Sequence, residues 1–259
     1  MEKDQYLLSS AYNCLQVLDL LSKKEQMGVA EIGKAMGLGK ASVFRMLYTL
    51  EKAGFVQKSE EAKYSLGIKF ALFGSLVVDR QSIVQVAGSF LEHLRDTYNE
   101  TAYLSMLTSS GNMVFISRQY SGSSLQMYAR MGEERDAYCT ASGKAMLAHI
   151  DPERSEKFAR AYEYTAFTEN TLNCPEALMR ELEEVRAQGY AVDREENEIG
   201  LVCYSAPLFD HRGNCVAAMS LSGPTTRMYA RRDEFIQGVL QASRAVSNRL
   251  GYQRKKFAD

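Results

Sequence analysis

"GLGKASVFRMLYTLEKAGFVQKSEEAKYSLG", Gly37 to Gly67, decides how the first part of this chain folds. Read at 3.6 residues per turn, Val43, Leu47 and Leu50 share one face of a helix running from about Lys40 to Ala53. Ala41, Arg45, Tyr48 and Lys52 repeat with the same spacing on the opposite face. One side is therefore apolar, and the other presents a small residue, a guanidinium, a phenol and an ammonium. Just upstream, Val29, Ile32, Ala35 and Met36 mark a short helix. Gly37 and Gly39 bracket a tight turn between the two helices, because glycine takes a positive φ without a Cβ penalty. Further upstream, Leu8, Ala11, Leu15, Leu18 and Leu21 give a first amphipathic helix over residues 6–22. Downstream, residues 55–58 and 63–66 read as two short strands around "SEEA".

Between Lys34 and Lys58 there are five basic residues and one acid, Glu51. Two helices joined by a glycine turn, with the second basic on its outer face, suit a helix-turn-helix that enters a major groove. The following hairpin is then a wing. Arginine can bond guanine bidentately, and lysines meet phosphate. The expected DNA-facing residues are Lys40, Ala41, Ser42, Arg45, Tyr48 and Lys52 on the helix, with Lys58, Lys63 and Tyr64 in the wing. The alternative is a three-helix surface domain whose polar face is only solvated. Turn, basic face and wing in this order favour double-stranded DNA.

The 259 residues, 46% of them hydrophobic, suffice for two domains. A net charge of −1 excludes a wholly basic, histone-like protein but not a local basic face. No apolar run approaches the ~20 residues of a membrane span, and "MEKDQYLLSS" does not read as a signal peptide. A cytoplasmic protein without membrane association is expected. The five cysteines contain no Cys-x-x-Cys pair, and the three histidines are scattered. Neither a disulfide framework nor a metal site follows, and no cofactor is expected.

Residues 67–80 read as a linker helix with Ile68, Leu72 and Leu76 on one stripe, followed by a second helix carrying Ile83, Val86, Phe90, Leu91 and Leu94. These either pack on their own domain or pair subunits, since dimers read palindromes. From Thr101 the pattern changes to hairpins: "TAYLSML" and "MVFISRQY" around a turn, "SLQMYARM", "YAVD", "LVCYSAPLF" and "CVAAMSLSG" as strands. Helices intervene at "TASGKAMLAHI" and from Pro175 to Gly189, and a long one closes the chain from Tyr229. The expected class is α+β: a winged helix-turn-helix over 1–66, the linker over 67–80, and an antiparallel-sheet domain over 81–259.

If Asp210 pairs with Cys215, then Cys203 lies opposite Ser222 and Ser205 opposite Ser220, all on one face. Pro207 marks an edge or a bulge. The start of the "TASGKAML" helix offers N–H groups at Ala141, Ser142 and Gly143 to an anion, or merely an ordinary cap by Thr140. Cys203 as a nucleophile would need a base, yet His211 falls roughly 25 Å along the strand at ~3.3 Å per residue. No catalytic residue is therefore assigned. A thiol-dependent enzyme fused to a DNA-binding module remains the alternative function. Glu195, Glu196 and Glu198 are given a structural or solvated role.

The stretch from Gly37 to Gly67 resembles the winged helix of the IclR family of bacterial transcription regulators. "TASGKAMLA", "GYAVDREENEIGLVCYSAPLFD" and "VAAMSLSGP" resemble the signature segments of that family's effector domain. The family usually has proline where Gly39 stands, serine at Ala41, glycine at Glu61 or Ala62, and often histidine at Tyr138. The resemblance implies a GAF-like C-terminal fold, and dimers or dimers of dimers on operator DNA. It also implies a small effector, often an organic acid, held at Ala141, Ser142, Asp193, Cys203, Ser220 and Ser222, with Met127 and Leu201 as apolar neighbours.

Overall fold

The computed structural model describes residues 6–73 and 82–253, which fall into two compact units divided at Gln81/Ser82. Among the described residues no helix is long and apolar enough to cross a membrane.

The first unit contains α1 (Ser9–Lys23), β1 (Met27–Gly28), α2 (Val29–Met36), α3 (Lys40–Lys52), β2 (Val56–Lys58) and β3 (Lys63–Leu66). Val17, Leu21, Ile32, Val43, Leu47, Leu50 and Val56 form its core, so the stripe expected on α3 is the buried one. On α1 the buried face turns on Val17 and Leu21, while Leu8 and Leu15 are exposed. Gly37 ends α2 in the left-handed region at φ 65°, as the turn requires. Gly39 does not share that need: it caps α3 at φ −64°, ψ 146°, an ordinary extended conformation. In the wing, β3 pairs with β2 on one side and β1 on the other, a strand too short for the sequence pattern to reveal. Ala62 takes φ 57° in the wing turn, a conformation that favours glycine. Of the linker helix expected over 67–80, residues 69–73 are helical, and the rest lies outside the described residues.

The second unit begins with α4 (Ile83–Tyr98). It continues with β4 (Thr101–Leu107), β5 (Met113–Gln119), β6 (Glu134–Arg135), α5 (Ala141–Leu147), α6 (Pro152–Ala161) and α7 (Pro175–Gln188). It ends with β7 (Ala191–Arg194), β8 (Leu201–Phe209), β9 (Cys215–Pro224), α8 (Thr225–Ala230) and α9 (Arg232–Arg249). The strands form one antiparallel sheet in the order β6-β5-β4-β9-β8-β7. Leu104, Val202, Tyr204, Ala206, Leu208 and Leu221 face α4 and α9, burying Leu91, Phe235, Val239 and Val246 against them. The opposite face packs Tyr103, Phe115, Ala191 and Ala218 against α5, α6 and α7. Gly189 ends α7 at φ 80° and Pro175 starts it, as their types dictate.

Two expectations fail here. Residues 124–131 form no strand but a loop over the α5 side of the sheet, tied down where Arg118 donates to the Ala129 carbonyl at 2.8 Å. The closing helix is two helices, broken at Arg231 with φ −127°. The fold is α+β, with a winged helix-turn-helix followed by the antiparallel-sheet domain.

Candidate functional site

The outer face of α3 carries exposed Lys40, Ala41, Arg45, Tyr48 and Lys52, with Ser42 half-buried. Phe44, 48% exposed, joins them and stacks on Tyr48 at 6.4 Å. The Lys52 ammonium lies 5.4 Å from the Tyr48 ring centre. An aromatic pair flanked by cations is therefore left open to solvent on a helix whose other face is core. Lys58 and Lys63 are exposed in the wing. Tyr64 is not available to DNA: its side chain is 2% exposed and packs into the core with Val56 and Leu21. Alternation along β3 turns Lys63 outward and Tyr64 inward, so the pattern that placed one excludes the other.

In the second unit the hairpin register pairs Cys203 with Ser222 and Ser205 with Ser220. The loop differs from expectation: Phe209, not Asp210, pairs with Cys215, because a bulge lies between Leu208 and Phe209. Asp193 pairs with Cys203 on the far side, so three strands present one polar face. The start of α5 lies over it, where the Ser142 and Ser205 hydroxyls are 3.2 Å apart. Between them is a small, partly open cavity. Ala141, Ser142, Asp193, Cys203, Ser220, Ser222, Met127 and Leu201 all line it. So do Arg135, Asn197, Glu198, Thr140 and Tyr128, which sequence reasoning did not single out, and Met113 and Phe115 from β5. Arg135 and Asn197 come from β6 and a loop, where no periodicity announces which side chain turns inward. Glu198, first read as structural or solvated, is a lining residue. A more open cleft shares Arg135, Asn197 and Glu198 with the cavity and adds Glu134 and Asp136.

Of the three N–H groups at the start of α5, Gly143 is taken by the Thr140 hydroxyl at 3.2 Å. The ordinary cap by Thr140 is therefore present. Asp193 accepts from the Glu196 and Asn197 amides at 2.7 and 3.4 Å. Burial, reinforced by the Glu196 carboxylate, nevertheless pushes its carboxyl up to about 7. The Cys203 thiol is pushed well up by burial and by Asp193, and it accepts from the Ser222 hydroxyl at 2.8 Å. A nucleophilic thiolate needs the reverse shift, so this environment gives the thiol-dependent enzyme no support.

Behind the cavity wall, Lys144 of α5 is fully buried and donates to Glu196 at 2.5 and 2.7 Å and to Glu181 at 3.2 Å. Burial pushes Glu181 up, but Lys144 and Arg194 outweigh it and hold its carboxyl below the usual range. Thr168 and Thr171 donate to the Glu195 and Glu196 carbonyls, both at 2.6 Å. Glu195, at φ 59°, accepts from the Gly200 amide at 2.7 Å and the Thr225 hydroxyl at 2.8 Å. Residues 195–200, which deliver Asn197 and Glu198, are therefore held on both sides.

The IclR helix-turn-helix domain family matches residues 10–60, and the bacterial transcriptional regulator IclR C-terminal family matches residues 75–248. The HTH-type transcriptional regulator XynR of Escherichia coli is 34% identical over 95% of this chain and 98% of its own length. The HTH-type transcriptional regulator KdgR of Escherichia coli is 32% identical over 99% of this chain and 98% of its own length. The crystal structure of the Thermotoga maritima IclR protein is 31% identical, with a TM-score of 0.63 over 95% of this chain and all of that one. Matches that span both units, on a chain with an open basic α3 and a cavity lined by Asp193, Cys203 and serines, give one answer: it belongs to the IclR family of bacterial transcriptional regulators.

Proposed function

We propose that this chain is a cytoplasmic, ligand-responsive regulator. In this reading a small organic acid in the C-terminal cavity modulates binding of a pseudo-palindromic operator by a homodimer or a dimer of dimers. The supporting observation is the convergence of eight residues, drawn from distant parts of the chain, on one cavity. Its chemistry suits a hydroxylated or keto acid. Arg135 supplies a positive charge, and Ser142, Ser220 and Ser222 supply donors. Asp193, raised to about 7, can donate to a ligand carboxylate or accept from a hydroxyl. Ligand binding alters DNA affinity only by favouring one arrangement of the subunits over another.

DNA contact is assigned to Lys40, Ala41, Ser42, Arg45, Tyr48 and Lys52, with Lys58 and Lys63 at the backbone. The test uses DNA selected by the wild-type protein from a random pool. Arg45→Ala is expected to weaken binding to that DNA by about 10–100-fold while leaving non-specific affinity nearly unchanged, in line with ~1–3 kcal/mol per bidentate base contact. Mobility shifts showing the same preference for selected over random DNA would remove Arg45 from base readout.

A further inference from the structure

β7 begins at Ala191, opposite Ser205, so among the described residues β8 continues from Ala206 to Phe209 with no strand on that edge. Helix α9 serves this edge instead. Ser243 donates to the Pro207 carbonyl, and the Phe209 amide donates to the Ser247 hydroxyl at 3.0 Å. The backbone there needs no further partner. Between α9 and the C-terminal end of α7 remains an open cleft of about 450 Å³. It lies in the second unit, and its lining residues are distinct from those of the effector cavity.

The cleft has a one-sided charge. Arg186 and Arg244 line it, and among the described residues no carboxylate does. Arg186 is anchored through Nε to the Ala148 carbonyl at 2.8 Å. Arg244 is exposed and forms no ion pair among the described residues. The cleft also has a flat apolar wall. Phe209 and Tyr252 stack at 5.0 Å with 27° between their planes, and the His149 ring meets Phe209 edge-on at 5.5 Å. His149 bonds the Ala145 carbonyl through Nδ1 at 2.9 Å, and burial and Arg186 hold it below its ordinary value. Among the described residues the two guanidiniums are thus the only charged groups lining the cleft at neutral pH.

We propose that this cleft is a second small-molecule site and that it takes a planar organic carboxylate. A guanidinium recognises a carboxylate through paired N–H donors, and stacked rings accept a flat, apolar body. Neither element alone explains the wall. Arginines for a bare inorganic anion would need no aromatic pair, and a purely apolar ligand would leave the Arg244 guanidinium without a partner.

The test is calorimetric titration of the full-length protein with three probes: benzoate, benzyl alcohol (the ring without the charge) and inorganic phosphate (the charge without the ring). Benzoate is expected to bind saturably and more tightly than either control. Arg244→Ala should weaken benzoate about tenfold or more, the range for losing a charge-assisted contact. Ser220→Ala, in the other cavity, should not change it. Arg244 holds no structural bond, so this variant should melt with the wild type. The proposal is overturned if benzoate does not saturate, if either control matches it, if Arg244→Ala binds equally well, or if the loss follows Ser220→Ala.

Discussion

Asp193 is the residue on which the cavity's chemistry turns, because burial and hydrogen bonding pull it in opposite directions. Its carboxyl is raised from 3.8 to about 7. Between those values the folded chain holds a proton that the unfolded chain has released, so this group's contribution to stability falls as pH rises through that window. Asparagine keeps an oxygen for the Glu196 and Asn197 amides and does not titrate. Asp193→Asn should therefore match the wild type near pH ~4 and exceed it by on the order of 2 kcal/mol near pH ~8. Urea unfolding at both ends checks this, and a gap that does not widen with pH would mean that Asp193 has ordinary acidity. At this scale the sequence was legible wherever alternation governs. Cys203, Ser220 and Ser222 follow from hairpin register, and so does the inward turn of Tyr64, which the assignment to DNA overlooked. Arg135, Asn197 and Glu198 were not legible, because a loop's backbone path, not a period, aims them.

Among the elements, α3 offers a direct test of how its start is built. Gly39 sits at φ −64°, its carbonyl receives the Ser42 and Val43 amides at 3.0 and 3.2 Å, and the space where a Cβ would sit is open. Proline satisfies all three conditions. Gly39→Pro is expected to raise stability by about 0.4–1 kcal/mol by restricting the unfolded chain. Chemical denaturation measures this, and a loss would show that Leu38 cannot adopt the extended conformation required before proline. Elements with strong stops were read nearly to the residue: α2, α3, α7, β3 and β4. Helix α6 was missed. Its Asp151 cap and Pro152 were present in the sequence, but "PERSEKFARA" carries little apolar periodicity beyond Phe158. The false strand at 124–131 alternates correctly yet finds no pairing partner, which no local pattern can report.

For the whole molecule, each unit closes a core of its own: one around Val43 and Leu47, the other on both faces of the six-stranded sheet. The second unit should therefore fold without the first. A fragment of residues 82–253 is expected to melt in one cooperative calorimetric transition, and a broad, non-cooperative melt would mean that its core depends on the rest of the chain. The two units divide at Gln81/Ser82, and α4 belongs with the strands that follow it. The edge of β8 carries a consequence for the crowded cell. Pro207 has no N–H to offer, and its carbonyl is already engaged by Ser243. A stray strand arriving there finds no ladder to extend, so α9 guards this edge against fibre growth.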